Sequence, residues 1–244
     1  MKVLIIACAV NEGQKLRWVA ERVQKTIRAW NREPKLDFLI MDDGSTDGVP
    51  LEIQKSTGCI HLRNEERKGV GHSIRKAYQF GMENGYEILV TMAGNNKDNP
   101  DEVNRIIDPI FHDKADFVQG SRYLPGGDFG NMPFYRQIAT RFIHPMLFSA
   151  ISGKRITDST NGFRAVRTSL LKDPRMLLNQ GWLDHYELEP YLFCQAIRLG
   201  YRVTEAPVSK IYPDKKLGYS KMKPITGWWS ILRPLFYLAL RIKQ

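Results

Sequence analysis

The feature that most constrains this chain is an alternation. Short runs of consecutive apolar residues are separated by longer segments in which apolar residues recur every three or four positions. Residues 3–10 form an unbroken apolar run, the pattern of a strand covered on both faces. Leu16, Val19, Ala20, Val23, Ile27 and Trp30 then repeat at helical spacing. Runs at 36–41, 59–62, 86–92 and 116–120 predict further strands, and 71–82 and 100–111 predict helices, the second with Pro100 in its first turn. Such alternation predicts an α/β chain whose mostly parallel central sheet carries helices on both faces. With 244 residues, 43% hydrophobic and 25% charged, the chain can bury a core, which excludes disordered, collagen-like and coiled-coil classes.

The second half reads differently. Ile138, Phe142, Ile143, Met146, Leu147, Ala150 and Ile151 form one helical stripe with Pro145 inside it, followed by a helix over 187–199 and a strand over 201–208. The net charge is +10, and from Lys210 onward eight basic residues face a single acid, Asp214, so that +7 of it lies there. Trp228, Trp229, Ile231, Leu232, Leu235, Phe236, Leu238 and Leu240 are interleaved with these charges. That composition predicts a basic amphipathic helix at an anionic membrane surface; packing on the domain is the alternative. Nucleic acid is not expected as a partner, since no nucleic-acid-binding motif accompanies the tail. Three cysteines without C-x-x-C spacing argue against a disulfide framework or a cysteine zinc site. No run approaches the ~18 apolar residues of a membrane span, and the N-terminal run reads as a strand rather than a signal. The expectation is a cytoplasmic protein held peripherally at the inner face of the membrane.

In open α/β sheets, ligands sit beyond the carboxyl ends of the strands. Three polar clusters fall there: Asn11-Glu12, Asp42-Asp43-Gly44-Ser45, and Gly94-Asn95-Asn96-Lys97-Asp98. Carboxylates in such positions accept hydrogen bonds from a base or a ribose. Gly69-Val70-Gly71 is not a dinucleotide fingerprint: it follows the wrong strand, and Ile74 stands where the third glycine belongs. No P-loop, histidine zinc motif or G-x-S-x-G serine occurs.

Taken together, these clusters resemble a family. Cys8-Ala9-Val10-Asn11-Glu12 is similar to the P-x-Y-N-E motif of GT-A glycosyltransferases of family 2, and Met41-Asp42-Asp43-Gly44-Ser45-Thr46-Asp47 to V-D-D-G-S-x-D. Lys68-Gly69-Val70-Gly71 resembles G-K-G-x-G. Gln119-Gly120-Ser121-Arg122-Tyr123 with downstream Arg136 resembles G-S-R-Y and its arginine, and Asp158 to Arg164 matches D-x-T-N-G-F-R. Lys215, Gly218, Ser220 and Lys221 fall where the family has R-x-x-G-x-S-K. The resemblance covers almost the whole chain and is closest to the dolichyl- or polyprenyl-phosphate sugar synthases.

The resemblance implies a Rossmann-like GT-A domain over 1–210, with a nucleotide-sugar half (1–122) and an acceptor half (123–210), followed by a basic loop and tail over 211–244. It implies a nucleotide-sugar donor, a polyprenyl-phosphate lipid acceptor and inverting transfer of a hexose. Asn11, Glu12, Asp42 and Asp43 would hold base and ribose, with Lys68 near the nucleotide. Arg122 and Arg136 would grip the acceptor phosphate, and Lys215, Ser220 and Lys221 would close over the diphosphate. Val10 stands where the family has a tyrosine, which removes a stacking surface.

The sequence departs from the family at the metal site. Where D-x-D is expected, this chain has Ala93-Gly94-Asn95-Asn96-Lys97. Divalent cations such as Mg or Mn want carboxylate oxygens, so the expectation is that no metal is required. Lys97 would neutralise the leaving diphosphate, with Asn95 beside it; a shifted site using Asp98 is the alternative. A phosphate acceptor is already anionic and needs no general base. Were the acceptor a hydroxyl, Asp158, Glu187 and Glu189 would be the candidate bases. Transfer to a soluble hydroxyl, isomerisation of the sugar-nucleotide and a non-catalytic binding module remain open at this point.

Overall fold

A computed structural model describes residues 1–212, 226–240 and 242. In chain order the elements are β1 (Lys2–Ala9), α1 (Gln14–Ala29), β2 (Lys35–Asp42), α2 (Val49–Thr57), β3 (Ile60–Arg63), α3 (Val70–Glu83), β4 (Ile88–Ala93), α4 (Val103–Phe111) and β5 (Phe117–Ser121). Then follow α5 (Phe134–Ile138), α6 (His144–Ser152), β6 (Arg164–Arg167), α7 (Thr168–Leu171), α8 (Leu188–Arg198), β7 (Val203–Pro207) and α9 (Thr226–Ala239). The strands form one seven-stranded sheet in the order β3-β2-β1-β4-β6-β5-β7. Only β6 runs antiparallel, between β4 and β5.

Alternation along β1 sets the layers. Val3, Ile5 and Ala7 face one core with Leu16, Val19 and Val23 of α1 and Ile106 and Ile110 of α4. Leu4 and Ile6 face the other, with Ile74 and Tyr78 of α3, Phe148 of α6 and Tyr191 and Phe193 of α8. Both faces of the central strands are therefore dry, which is why they read as continuous apolar runs.

Besides the short helices α2 and α7, which the sequence reading did not expect, three elements differ from it. The first is β6, whose four residues, Arg-Ala-Val-Arg, carry too little pattern to read as a strand. The second is the stripe expected over 138–151, which begins earlier, at Phe134, and passes through a π-helical turn (Ala139–Ile143) before α6. Pro145 explains that turn: it lacks an N–H and its ring crowds the carbonyl four residues back, so the widened turn relieves the mismatch.

The third is the tail helix, which is part of the core on one face. Ile231, Leu235 and Leu238 of α9 are buried and lie at the i, i+4, i+7 spacing of a single stripe. The Arg233 guanidinium pairs with Glu187, and Arg198 donates to the Leu238 carbonyl at 3.0 Å. Trp229, Phe236 and Leu240 stay exposed on the other face.

Candidate active site

Register brings the polar clusters together. Ala9 pairs with Asp42, and Cys8 with both Met41 and Ala93, so β1, β2 and β4 end at one edge and their following residues meet there. The junction is knitted by hydrogen bonds: Asp43 N donates to Ala9 O (2.9 Å), Gly94 N to Cys8 O (2.9 Å) and Thr46 N to Asn11 Oδ1 (2.8 Å). Asn11 takes a left-handed conformation with φ 47°, which asparagine tolerates better than most residues. Beyond this edge lies a cleft of about 290 Å³.

Of the expected site residues, Glu12, Asp43, Asn95, Lys97, Arg122, Arg136 and Glu189 line the cleft. Asp43 is buried, and its Oδ1 accepts from Asn64 Nδ2 and Lys68 N (both 2.9 Å) while Oδ2 accepts from Gly69 N at 3.0 Å. Burial pushes this carboxyl up, but the hydrogen bonds from Asn64, Lys68, Gly69 and Ser73 outweigh it and hold it below the usual carboxylate range.

Others lie elsewhere. Asp42 is buried behind the edge, where Oδ1 accepts from Ser45 N at 2.7 Å and closes the turn. Lys68 pairs with Glu66 on the surface, and Arg67 lines the cleft instead. Asn11 is exposed and braces the Thr46 turn. Lys215, Ser220 and Lys221 lie outside the described residues.

The opposite wall is cationic. Arg122 is held by Asp158 in a buried two-point contact, Nε to Oδ2 at 2.7 Å and Nη2 to Oδ1 at 2.8 Å, and Nη2 also reaches Thr160 Oγ1 at 2.6 Å. Burial raises the Asp158 carboxyl, yet the Arg122 charge and hydrogen bonds dominate and keep it ionised below the usual range. With both oxygens engaged, Asp158 orients Arg122, a role different from the base suggested for it above. Arg136, on α5, has its buried Nε without a hydrogen-bond partner among the described residues. Arg164 is 2% exposed and meets Glu189 Oε1 at 3.1 Å, so Glu189 enters the cleft already paired.

Sequence reasoning missed Arg67, His185, Tyr186, Tyr212 and Ile231, all on the cleft wall. The signal for two of them is in the glycines. A Cβ at Gly71 would collide with the Leu183 carbonyl, and one at Gly69 with His185. The paired glycines therefore let the 181–186 segment approach α3. Arg75 clamps that segment by donating to Leu178 O (2.9 Å) and Gln180 O (2.8 Å) and by pairing with Asp184.

The loop after β4 does not fit a divalent cation. Asp98 is fully buried; its Oδ2 accepts from Ala93 N at 2.9 Å and its Oδ1 from the Lys210 ammonium. A shifted site using Asp98 would have to displace Lys210 from it. Asn95 offers a neutral amide whose Oδ1 accepts from Lys97 N at 3.3 Å. Lys97 is 5% exposed, with Nζ 4.5 Å from the centre of the Tyr212 ring. Among the described residues no three His, Cys, Asp or Glu side chains are grouped to hold a metal ion.

A mostly parallel sheet with one reversed strand, an acidic carboxyl edge and a cationic far wall is the arrangement expected from the resemblance to GT-A glycosyltransferases. The model of "Glycosyl transferase family 2" matches residues 4–173, and the chain belongs to that family. It is 28% identical over 228 residues to polyprenol monophosphomannose synthase of Mycolicibacterium smegmatis, covering 91% of this chain and 81% of that one. It is 28% identical over 230 residues to undecaprenyl-phosphate mannosyltransferase of Micrococcus luteus, covering 91% and 88%. Among solved structures, glucosyl-3-phosphoglycerate synthase from Mycobacterium tuberculosis, in complex with Mn2+, UDP and glucosyl-3-phosphoglycerate, superposes with a TM-score of 0.65 at 16% identity. That match covers 98% of this chain and 79% of the other, and at such identity the likeness concerns the fold.

Proposed function

We propose that the protein transfers a hexosyl group from a nucleotide-sugar to a polyprenyl phosphate, with inversion, at the cytoplasmic face of a membrane and without a divalent cation. One observation carries the acceptor assignment. The helix that turns Arg136 into the cleft exposes Phe134, Tyr135 and Ile138, and the continuing helix exposes Phe142, Ile143 and Met146. A phosphate held at Arg136 would thus have its hydrocarbon chain beside an apolar surface. Trp229 and Phe236 of α9, which contacts α6, and Leu240 just after it extend that surface. Large exposed apolar patches mark interaction or membrane sites. No helix among the described residues is long and apolar enough to cross a membrane, which suits attachment at the surface.

In this reading Glu12 and Asp43 lie on the nucleotide side, Lys97 and Asn95 face the diphosphate, and Arg122 and Arg136 position the acceptor. A phosphate oxygen attacks the anomeric carbon as the bond from that carbon to the diphosphate oxygen breaks in line. The electron pair leaves on the nucleoside diphosphate, where fixed positive charge stabilises it. No proton has to be removed from the nucleophile. The names of the sequence relatives, which act on polyprenol and undecaprenyl phosphates, support the same acceptor class.

The test is incubation of the protein with radiolabelled nucleotide-hexoses and polyprenyl phosphate in EDTA, followed by organic extraction. Label in the organic phase is expected, and Arg136→Met should reduce it by about 100-fold, the scale of losing one charge-stabilising group. Label that remains water-soluble in a new sugar product would favour a hydroxyl acceptor and overturn the lipid assignment.

A further inference from the structure

We propose that Lys210 is a resident cation of the donor site: clasped by Asp98 and Asn161, its ammonium holds the 94–98 loop so that Lys97 faces the cleft, and the diphosphate subsite is built from ammonium groups and closed to divalent ions. This rests on reading the cleft as a nucleotide-diphosphate site and is independent of the acceptor.

Asp98 and Asn161 are both fully buried, and a buried carboxylate needs a close counter-charge or several hydrogen bonds. Lys210 supplies it, pairing with Asp98 Oδ1 and donating to Asn161 Oδ1 at 3.2 Å. The contact is reinforced by the backbone. Asp98 and Lys210 form an antiparallel bridge, and Ile211 N donates to Lys97 O at 2.8 Å. Two residues beyond Lys210, Tyr212 places its ring against the Lys97 ammonium. One three-residue stretch thus neutralises Asp98, pins the Lys97 backbone and supports the Lys97 side chain, and both lysines line the cleft.

A divalent ion entering here would meet two ammonium groups, with the nearby carboxylate occupied. Hard cations need several anionic or carbonyl oxygens. The carboxylate of this corner, Asp98, has one oxygen on the Lys210 ammonium and the other on Ala93 N, while Asn161 Oδ1 accepts from Lys210 and Phe163 N, which leaves the neutral Asn95 amide. The Lys97 pKa agrees with this crowding: burial lowers it most, followed by the charges of Lys210 and Arg136.

The test is calorimetric titration of GDP, UDP and dTDP into the full chain, in EDTA and in manganese, with Mn2+ binding to the nucleotide-free protein followed by electron paramagnetic resonance. The wild type should bind one nucleotide in EDTA, change affinity less than twofold in manganese and take up no Mn2+ alone. Lys210→Met should weaken nucleotide binding at least tenfold in EDTA and take up Mn2+ on the freed oxygens, and Lys210→Arg should recover most of the binding. Should Lys210→Met not fold, the uncharged pair Asp98→Asn/Lys210→Met carries the test, and it too should bind nucleotide at least tenfold more weakly. Wild-type affinity in either methionine variant, or a wild type that binds only with manganese, overturns the proposal. A wild type that binds no nucleotide under either condition overturns the donor-site reading as well. Nucleotide binding in EDTA without organic-extractable product overturns the acceptor assignment alone.

Discussion

In the proposed reaction the chemistry of this cleft turns on a few cations whose state is set by their surroundings. Lys97 is the clearest: burial, then the charges of Lys210 and Arg136 with a smaller contribution from Lys15, outweigh Asp98 and bring its pKa down to about 7. A diphosphate bound beside it would raise it again, so binding should take up a proton wherever the free protein has lost it. Affinity for a nucleotide-sugar should be flat below pH ~6 and fall above pH ~7 by up to about tenfold per pH unit. Titration in buffers of different ionisation enthalpy checks the proton uptake, and Lys97→Arg, whose charge does not titrate, should abolish the slope. The unfolded chain keeps this proton up to the ordinary lysine value of 10.5, so Lys97 makes folding stability rise with pH between about 7 and that value. The carboxylates were only half legible at this scale. Asp42 and Asp43 are adjacent in one motif, yet strand alternation sends them to opposite sides, and one closes a turn while the other meets the cleft.

Single helices here do two jobs at once. α5 and α6, joined by the π turn, carry Arg136 and Thr140 toward the cleft and Phe142 and Met146 toward solvent, the last two 60% and 68% exposed. Burying one such side chain is worth about 1.5–3 kcal/mol. Phe142→Asp/Met146→Asp should therefore reduce sedimentation with lipid vesicles by at least about 100-fold while leaving nucleotide binding unchanged. Unchanged sedimentation would place the membrane contact elsewhere. The stripe was visible in the sequence, but its orientation was not. Helical spacing says that a face is apolar; it does not say what covers it. The same ambiguity applied to α9, where Leu235 and Leu238 became core because α6 and α8 present a matching surface, while Ile231 meets the cleft.

Across the whole molecule, charge and apolar surface should act together. Of the eight basic residues from Lys210 onward, Lys210 and Arg233 are taken by Asp98 and Glu187; the others would attract anionic lipid at about 1 kcal/mol for each that lies near the surface. Raising salt from about 0.1 to 0.5 M should therefore weaken binding to anionic vesicles more than tenfold and to neutral vesicles little; equal loss on both would rule out the electrostatic part. The amino-acid sequence by itself determined the architecture, because strands buried on both faces must be continuously apolar and helices buried on one face must be striped, whatever their partners. It also determined that Asn11-Glu12, Asp42-Asp43 and the 94–98 loop share one sheet edge, since parallel strands end together. Tertiary structure alone decided which polar groups remain available to a ligand. Asp158 is engaged by Arg122, and Asp98 by a lysine 112 residues further along the chain. Buried ions must be neutralised by whatever the fold brings within reach, and that distance is a property of packing.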